Sequence, residues 1–545
     1  MKNNIIYLAR LTVETASPLA IGSGRQGLAT DRLVARDAYT LPYLPGTSLA
    51  GCLRSALGED LVKAIFGSQE EGSRLVVSSG HLIGPDGKVV GEDNGMPDFS
   101  DKYLQLLSEG GLPQRDHVRI NSRGTADAKG HGKFDEQLVP RGARFVFELC
   151  LQGTEADAEH WQQLLDQFLQ PFFRIGGGTR KGFGQLRVVE IQKGSLDLQQ
   201  ADQREAYLNL PAMLDAPLPP AFQTITEPAS APKSDKWEIY TLRLTARDFF
   251  QFGRGVGGET TTGERNQDGK KGWVNQLPKR ETTISWENGK PRLLTEEKAP
   301  YLLPATSIKG ALSHRTAFYF NKLQKRFIEH QETPDVPTPD YDTIVAELLD
   351  DDGTMPRTQE EIKATIERLQ DQKNRIEELD FSKSAAYSSY TQELEATQTD
   401  DRRPHVGENN EAVRALFGFA VERYEEENGK KQSAQRGNVL INDVFLFDDE
   451  VKTKTFSHVM IDRFTGGAKA GALFNEDVAS SDKEIELKIH VHEDAFTGED
   501  GEKIRQAFDE ALLDLRNGRL PLGGGVAKGH GRFSGTLIPP KSQNA

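Results

Sequence analysis

Two segments of this 545-residue chain carry the residue types that hold phosphate. Residues 174–184 read Arg-Ile-Gly-Gly-Gly-Thr-Arg-Lys-Gly-Phe-Gly, and residues 520–532 read Leu-Pro-Leu-Gly-Gly-Gly-Val-Ala-Lys-Gly-His-Gly-Arg. Gly176, Gly177 and Gly178 offer backbone N–H groups unshielded by side chains, with Arg180 and Lys181 close behind. Gly523, Gly524 and Gly525 stand in the same way before Lys528 and His530. Glycine lets a backbone approach an anion closely, and nearby cations neutralise it. Neither segment is a nucleotide-binding P-loop, because the Gly-Lys-Ser/Thr ending is missing. A tight turn between strands is the plain alternative for one such loop; its recurrence at the end of each half favours phosphate.

Further pairs occur in the same order in both halves. Arg-Leu-Thr stands at 10–12 and 243–245, each followed by a short glycine loop: Gly22, Ser23 and Gly24 in one half, Gly253, Arg254 and Gly255 in the other. Pro-Gly-Thr-Ser at 45–48 answers Pro-Ala-Thr-Ser at 304–307. Thr47, Ser48, Thr306 and Ser307 then place hydroxyls and N–H groups at a helix start, where the dipole favours an anion. Arg54 follows in the first half and Lys309 in the second. Simple capping by Thr or Ser is compatible with that use. His-Val-Arg-Ile at 117–120 ahead of Phe134 matches His-Val-Met-Ile at 458–461 ahead of Phe474. A repeat on this scale means one structural unit present twice.

The elements that must position these motifs are strands and helices that interleave. Residues 5–13, 144–151 and 185–191 read as strands, 161–168 as a helix, and Thr47 as the N-cap of a helix carrying Leu49, Leu53, Leu57 and Leu61. The expected fold class is α+β, with two tandem ferredoxin-like, RRM-like βαββαβ domains. The expected boundaries are 1–193 for the first domain, 194–236 for a proline-rich linker without regular structure, and 237–545 for the second. The second domain contains an acidic insertion at about 327–410, in which Ile362, Ile366, Leu369, Ile376 and Leu379 mark one face of a helix.

Composition narrows the class. The chain is 36% hydrophobic, and no apolar run is long enough to span a bilayer. A cytoplasmic protein with no membrane segment is expected. Cys52 and Cys150 are too few for a disulfide scaffold or a cysteine zinc site, and read as buried thiols. The net charge of −15 argues against nucleic acid only at first sight. Residues 341–400 hold 15 Asp and Glu against 6 Lys and Arg, more than half the excess. Local patches decide phosphate binding.

The order of strand, Ile-Gly-Ser-Gly, Pro-Tyr-Leu-Pro-Gly-Thr-Ser-Leu, Val-Arg-Ile and a closing Gly-Gly-Gly-x-x-x-x-Gly-x-Gly resembles the RAMP superfamily. More narrowly, it is similar to the Cas-seven-like backbone subunits of type III CRISPR effector complexes, here fused in the manner of a type III-D-like system. The resemblance implies a guide CRISPR RNA gripped by the glycine loops, a paired target RNA, and other effector subunits as partners. It also implies β-hairpin thumbs, at 119–134 with Arg119 and at 462–474 with Arg463, that flip a base of the duplex. A loop Asp, with Mg²⁺ or another divalent cation, would then support cleavage of the target. The matching residue is Asp31, as catalytic residue and metal ligand; Asp37 belongs to the following turn. The second half departs from the pattern across 259–298. Asp268 is the nearest catalytic candidate there, ahead of Asp248 and Glu259, and is also an ordinary turn residue. Two alternatives stay open: an inactive RNA-binding scaffold, and a RAMP-type endoribonuclease that processes precursor guide RNA through His117, His458 or His530. A zinc enzyme is disfavoured by the absence of His-x-x-x-His or paired cysteines.

Overall fold

The structure, a computed structural model, describes residues 3–25, 27, 30–68, 70–92, 95–118, 120, 132–229, 236–262, 272–326, 405–419 and 434–540. Two antiparallel sheets organise it. In the first, Leu186–Asp197 and Arg144–Gly153 flank the opening strand Ile5–Thr15, and Leu75–Val77 lies beyond Arg144–Gly153. In the second, Phe533–Ile538 and Ile485–His492 flank Trp237–Ala246, with Val439–Ile441 beyond. Numbered by chain order within each unit, both sheets run 4-1-3-2. Helices join the first strand to the second and the third to the fourth, so each unit is a ferredoxin-like βαββαβ fold.

Alternation along each opening strand separates two faces. Tyr7, Ala9, Leu11 and Val13 enter a core with Leu49 and Leu53 of helix Gly46–Ala56 and Trp161, Leu164 and Leu165 of helix Ala158–Gln167. Leu242 and Leu244 meet Ile308, Leu312 and Phe320 of helix Ala305–Leu323, and Ile504, Phe508, Ala511 and Leu512 of helix Gly501–Arg516. The three- and four-residue spacing of these apolar positions is what makes each helix one-sided.

Several expectations need correction. The helix after Pro45 starts at Gly46, so Thr47 lies inside its first turn and no side chain caps it. That helix ends at Ala56, and Leu61 belongs to a separate helix, Glu59–Phe66. The proline-rich stretch is not irregular throughout. It carries helix Ala201–Leu208, ahead of its prolines, and strand Gln223–Thr226, which adds an edge to the first sheet. Phe222 packs there on Leu8 and Leu196, the outward face of the first unit's strands. Arg10 is buried beneath it, donating to Glu148 at 2.9 Å and to Ala216 O.

The second unit reaches back to the first. The hairpin of Thr283–Glu287 and Lys290–Leu294 places Ile284 in the first core, and Trp286 Nε1 donates to Gly142 O at 2.7 Å. The predicted helix within 362–379 lies outside the described residues. The ends of that insertion are side by side: Asn321 Nδ2 donates to His405 O at 2.8 Å, and Arg326 pairs with Glu411 at 2.7 Å. Replacing residues 327–404 by a short Gly-Ser linker is therefore expected to leave the melting temperature within a few degrees of the parent, since closing a loop between adjacent ends costs little. A thermal melt checks this. No helix among the described residues is long and apolar enough to cross a membrane.

Candidate nucleic-acid interface

The two glycine segments fold into the same loop. Gly176, Gly178, Gly182 and Gly184 have φ of 77°, 64°, 99° and 80°; Gly523, Gly525, Gly529 and Gly531 have 82°, 69°, 89° and 78°. These left-handed values explain the glycine spacing, because a Cβ strains them. Each loop is pinned to the segment after its opening strand. Gly177 N–H donates to Ala20 O and Gly524 N–H to Gln251 O, both at 2.7 Å. Gly184 N–H donates to Pro18 O at 2.9 Å, and Gly531 N–H to Phe249 O at 2.8 Å.

In the first unit, separate sequence motifs meet at a cleft of about 520 Å³. Gly22, Ser48, Gly176 and Gly177 line it, with Arg32, Cys52 and Glu136. Ser23, Gly24 and Thr47 are exposed beside it, and Arg54 is exposed farther along the same helix as Thr47. Cys52 is half-buried in the wall and burial pushes its thiol up; Cys150 is half-buried as well, so neither is a fully buried thiol. In the second unit Gly253, Arg254, Gly255, Gly523 and Gly524 are exposed in the matching loops.

A four-residue constellation recurs beneath each glycine loop, at the root of a hairpin. His117 pairs in register with Phe134 across Gln114–Val118 and Lys133–Gln137, and the rings stack at 4.8 Å. His117 Nε2 lies 2.8 Å from Glu136 Oε1, which Lys181 Nζ reaches at 3.3 Å. In the second unit His458 stacks on Phe474 at 4.8 Å, and Glu476 Oε1 takes both His458 Nε2 and Lys528 Nζ at 2.6 Å. Burial works to raise both carboxyls, but the His and Lys donors overcome it. Glu136 is held down at about 2, and Glu476 is lowered in the same direction. Burial lowers His117 despite its carboxylate neighbour. The loop lysine is thereby tied to the hairpin root. Sequence reading missed both glutamates, although Phe-Asp-Glu at 134–136 and Phe-Asn-Glu at 474–476 carry the signal.

Other expected site residues have different surroundings. His530 is only 8% exposed; it fills the space under its glycine loop that Phe183 fills in the first, edge-on to Phe249. It supports the loop from below and does not present a ring to solvent. Arg180 turns to the second unit, donating to Gly437 O and lying over Trp237 at 5.7 Å. Lys309 donates to Phe417 O at 3.1 Å. The N–H at the start of helix Ala305–Leu323 is already taken by Asp443 Oδ1 at 2.7 Å, so Thr306 and Ser307 begin a helix whose first turn holds an internal anion. Arg463 is exposed near the tip of the second hairpin, over Phe464 at 5.1 Å. Arg119 and Asp268 lie outside the described residues.

Cations from both units crowd the first glycine loop. Arg436, absent from the sequence reading, donates to Thr179 Oγ1 at 3.0 Å. Burial, then Arg436 and Arg174, lowers Arg180 to about 9. Burial, then Arg180 and Lys181, lowers Lys309 to about 8. Burial does most of this, and the neighbouring cations add to it.

Asp31 is exposed at the rim, next to cleft residue Arg32. It is clasped to the hairpin: Asp31 N–H donates to Asp135 Oδ1 at 2.9 Å, and Asp135 N–H to Asp31 Oδ2 at 3.0 Å. Each carboxylate keeps one oxygen outside this clasp. Among the described residues no three His, Cys, Asp or Glu side chains gather as a metal-holding group. Two carboxylates fit Mg²⁺ in the mode that relies on one or two protein oxygens plus water and phosphate.

Two units of one ferredoxin-like fold, each with a strand-pinned glycine loop over a hairpin root, define a tandem-domain class of protein. A family model for the RAMP superfamily matches residues 12–187 and 295–534, and the chain belongs to that superfamily. A search of curated proteins gave no match. Among solved structures, one similar chain comes from the cryo-EM structure of Type III-B Cmr-beta bound to cognate target RNA. Identity is 14% and the TM-score 0.26, over 34% of this chain and 60% of that one, too distant a likeness to argue from.

Proposed function

We propose that this protein is a guide-RNA-binding backbone subunit of a type III CRISPR effector complex, and that it cuts the paired target RNA through Asp31. The observation that carries the RNA-binding part is the cleft where Gly22, Ser48, Gly176 and Gly177 converge, with Arg180, Lys181, Lys309 and Arg436 gathered about the same glycine loop. Glycine backbone that leaves room for close approach, with cations from two units, suits a sugar-phosphate strand that crosses from one to the other. Sequence specificity then lies in base pairing and not in the protein.

Cleavage on this reading is in-line attack by a 2′-hydroxyl on the adjacent phosphorus. The P–O5′ bond breaks and leaves a 2′,3′-cyclic phosphate. The hydroxyl proton passes to a base and the departing 5′-oxygen takes one from water. Asp31 is an exposed carboxylate held against the hairpin root, which suits it to accept that proton. Asp31 and Asp135 would hold a divalent cation, whose chemistry is stabilisation of charge on the phosphate oxygens. His117 and His530 are buried and His458 is bonded to Glu476, which favours this reading over a histidine-based processing enzyme.

The test is the complex reconstituted with partner subunits and guide RNA. Asp31→Ala is expected to remove one cut in a labelled target, by 100-fold or more on the order of a lost general base, with guide retention unchanged. An unaltered cleavage pattern would leave the inactive scaffold as the better account.

A further inference from the structure

The backbone gives the second unit a counterpart for Asp31 that the sequence hides. In the first unit Ser23 N–H donates to Leu33 O at 3.0 Å, Ala35 N–H to Ile21 O at 2.7 Å and Gln137 N–H to Arg32 O at 3.0 Å. In the second, Arg254 N–H donates to Leu277 O at 2.8 Å, Lys279 N–H to Phe252 O at 2.6 Å and Asp477 N–H to Gln276 O at 3.0 Å. The isolated bridges agree: Gly22 with Val34 and Gly253 with Pro278, Arg32 with Glu136 and Gln276 with Glu476. Glu136 and Glu476 are independently matched by their His and Lys partners. Leu33 therefore corresponds to Leu277, Arg32 to Gln276, and Asp31 to Asn275.

The clasp is repeated as well, with both acids exchanged for amides. Asn475 N–H donates to Asn275 Oδ1 at 2.8 Å, where Asp135 N–H donates to Asp31. Asn275 N–H returns a bond to Asn475 O at 2.8 Å. The bond into the position-31 side chain is kept, the return bond moves from a side-chain to a main-chain oxygen, and the charge is gone. An amide neither accepts the 2′-hydroxyl proton at neutral pH nor supplies an anionic metal ligand. The neighbouring carboxylate does not substitute: Asp477 is fully buried and takes bonds from Thr260, from Thr261 Oγ1 and N–H, and from Thr455.

We infer that Asn275 holds the catalytic position of the second unit, so that this chain cuts a target RNA once, through its first unit, and uses the second only to bind. This rests on the reading of Asp31 given above. The experiment uses the full chain in its reconstituted complex, with the guide and an end-labelled complementary RNA. Comparison of Asp31→Ala, Asn275→Asp and the double variant Asn275→Asp/Asn475→Asp isolates the cuts this chain makes. The expected result is one cut lost in Asp31→Ala and one new cut in Asn275→Asp, displaced toward the second unit. A cut that survives Asp31→Ala but vanishes in Asp268→Ala or Glu259→Ala overturns the inference. So does a double variant that adds no cut while its Asp31-dependent cut and guide retention persist. A wild-type chain that holds guide and target yet makes no cut overturns instead the reading of Asp31.

Discussion

Arg115→Met is expected to destabilise the chain by about 3–5 kcal/mol, the loss seen when one partner leaves a buried ion pair. Arg115 sits at the root of the first hairpin with its side chain 1% exposed. Both of its acids come from the second unit: Glu281, 7% exposed, accepts from Nε at 2.8 Å, and Asp443, fully buried, accepts from Nη1 at 2.8 Å. Burial alone would lower the guanidinium's pKa, but Asp443 and Glu281 outweigh it and hold the charge on. Methionine fills similar volume and leaves two carboxylates dry and unpaired. The damage would spread, because Asp443 also binds the first N–H of helix Ala305–Leu323, and Arg115 lies over Phe183, 4.8 Å from its ring centroid, under the first glycine loop. A thermal melt of the variant, with Arg115→Met/Glu281→Met/Asp443→Asn beside it, checks the argument. The triple variant should recover much of the loss, since it removes the stranded charges. A single variant that melts with the parent would show that the junction does not depend on this triad.

How much of this was legible beforehand follows from the kind of signal each feature leaves. The glycine loops were readable because four left-handed φ values impose a fixed glycine spacing on any sequence that adopts them. The strands and helices of both cores were readable from period. Asn275 was not, because the extra residues that separate it from Gly253 are followed by a second excursion, the hairpin 283–294, that pushes the Pro-Tyr turn farther away. The stretch 259–298, across which the second half departs from the pattern, holds two excursions with the aligned segment 275–280 between them. Only the hydrogen-bond register recovers that alignment. The role of His530 was hidden for another reason. A histidine under a loop and a histidine over a phosphate have the same neighbours in sequence, and Phe183 at the equivalent place reveals the difference only once the two loops are superposed. Arg436 and Asp443 reach the first unit's loop from far along the chain, and no local pattern announces a contact of that span.

The crowding of cations at that loop makes a prediction about pH that separates binding from stability. Lys309 is lowered to about 8 from an ordinary 10.5, first by burial and then by Arg180 and Lys181. A phosphate placed among these groups favours the ammonium, so binding is coupled to its protonation. Below pH 8 the proton is already present. Above it, binding must take one up, and guide affinity should fall about tenfold between pH 7 and pH 9. Folding without RNA should move the other way. The unfolded chain keeps its proton up to about 10.5 while the folded chain loses it near 8, so the unfolded state binds more protons in that window. Stability of the free protein from this group therefore rises with pH there. Lys309→Met should flatten both trends. Arg436→Gln, which leaves Lys309 in place, should weaken guide binding at every pH and reduce the salt slope by about 0.7 for one lost contact to single-stranded RNA. Filter binding and melts at matched ionic strength read both quantities. Affinity that stays constant from pH 7 to 9, in protein that remains folded, would place the guide's phosphates away from Lys309, whereas opposite slopes that vanish together in Lys309→Met assign both to that lysine and not to Arg180 or Lys181, which are lowered at the same loop.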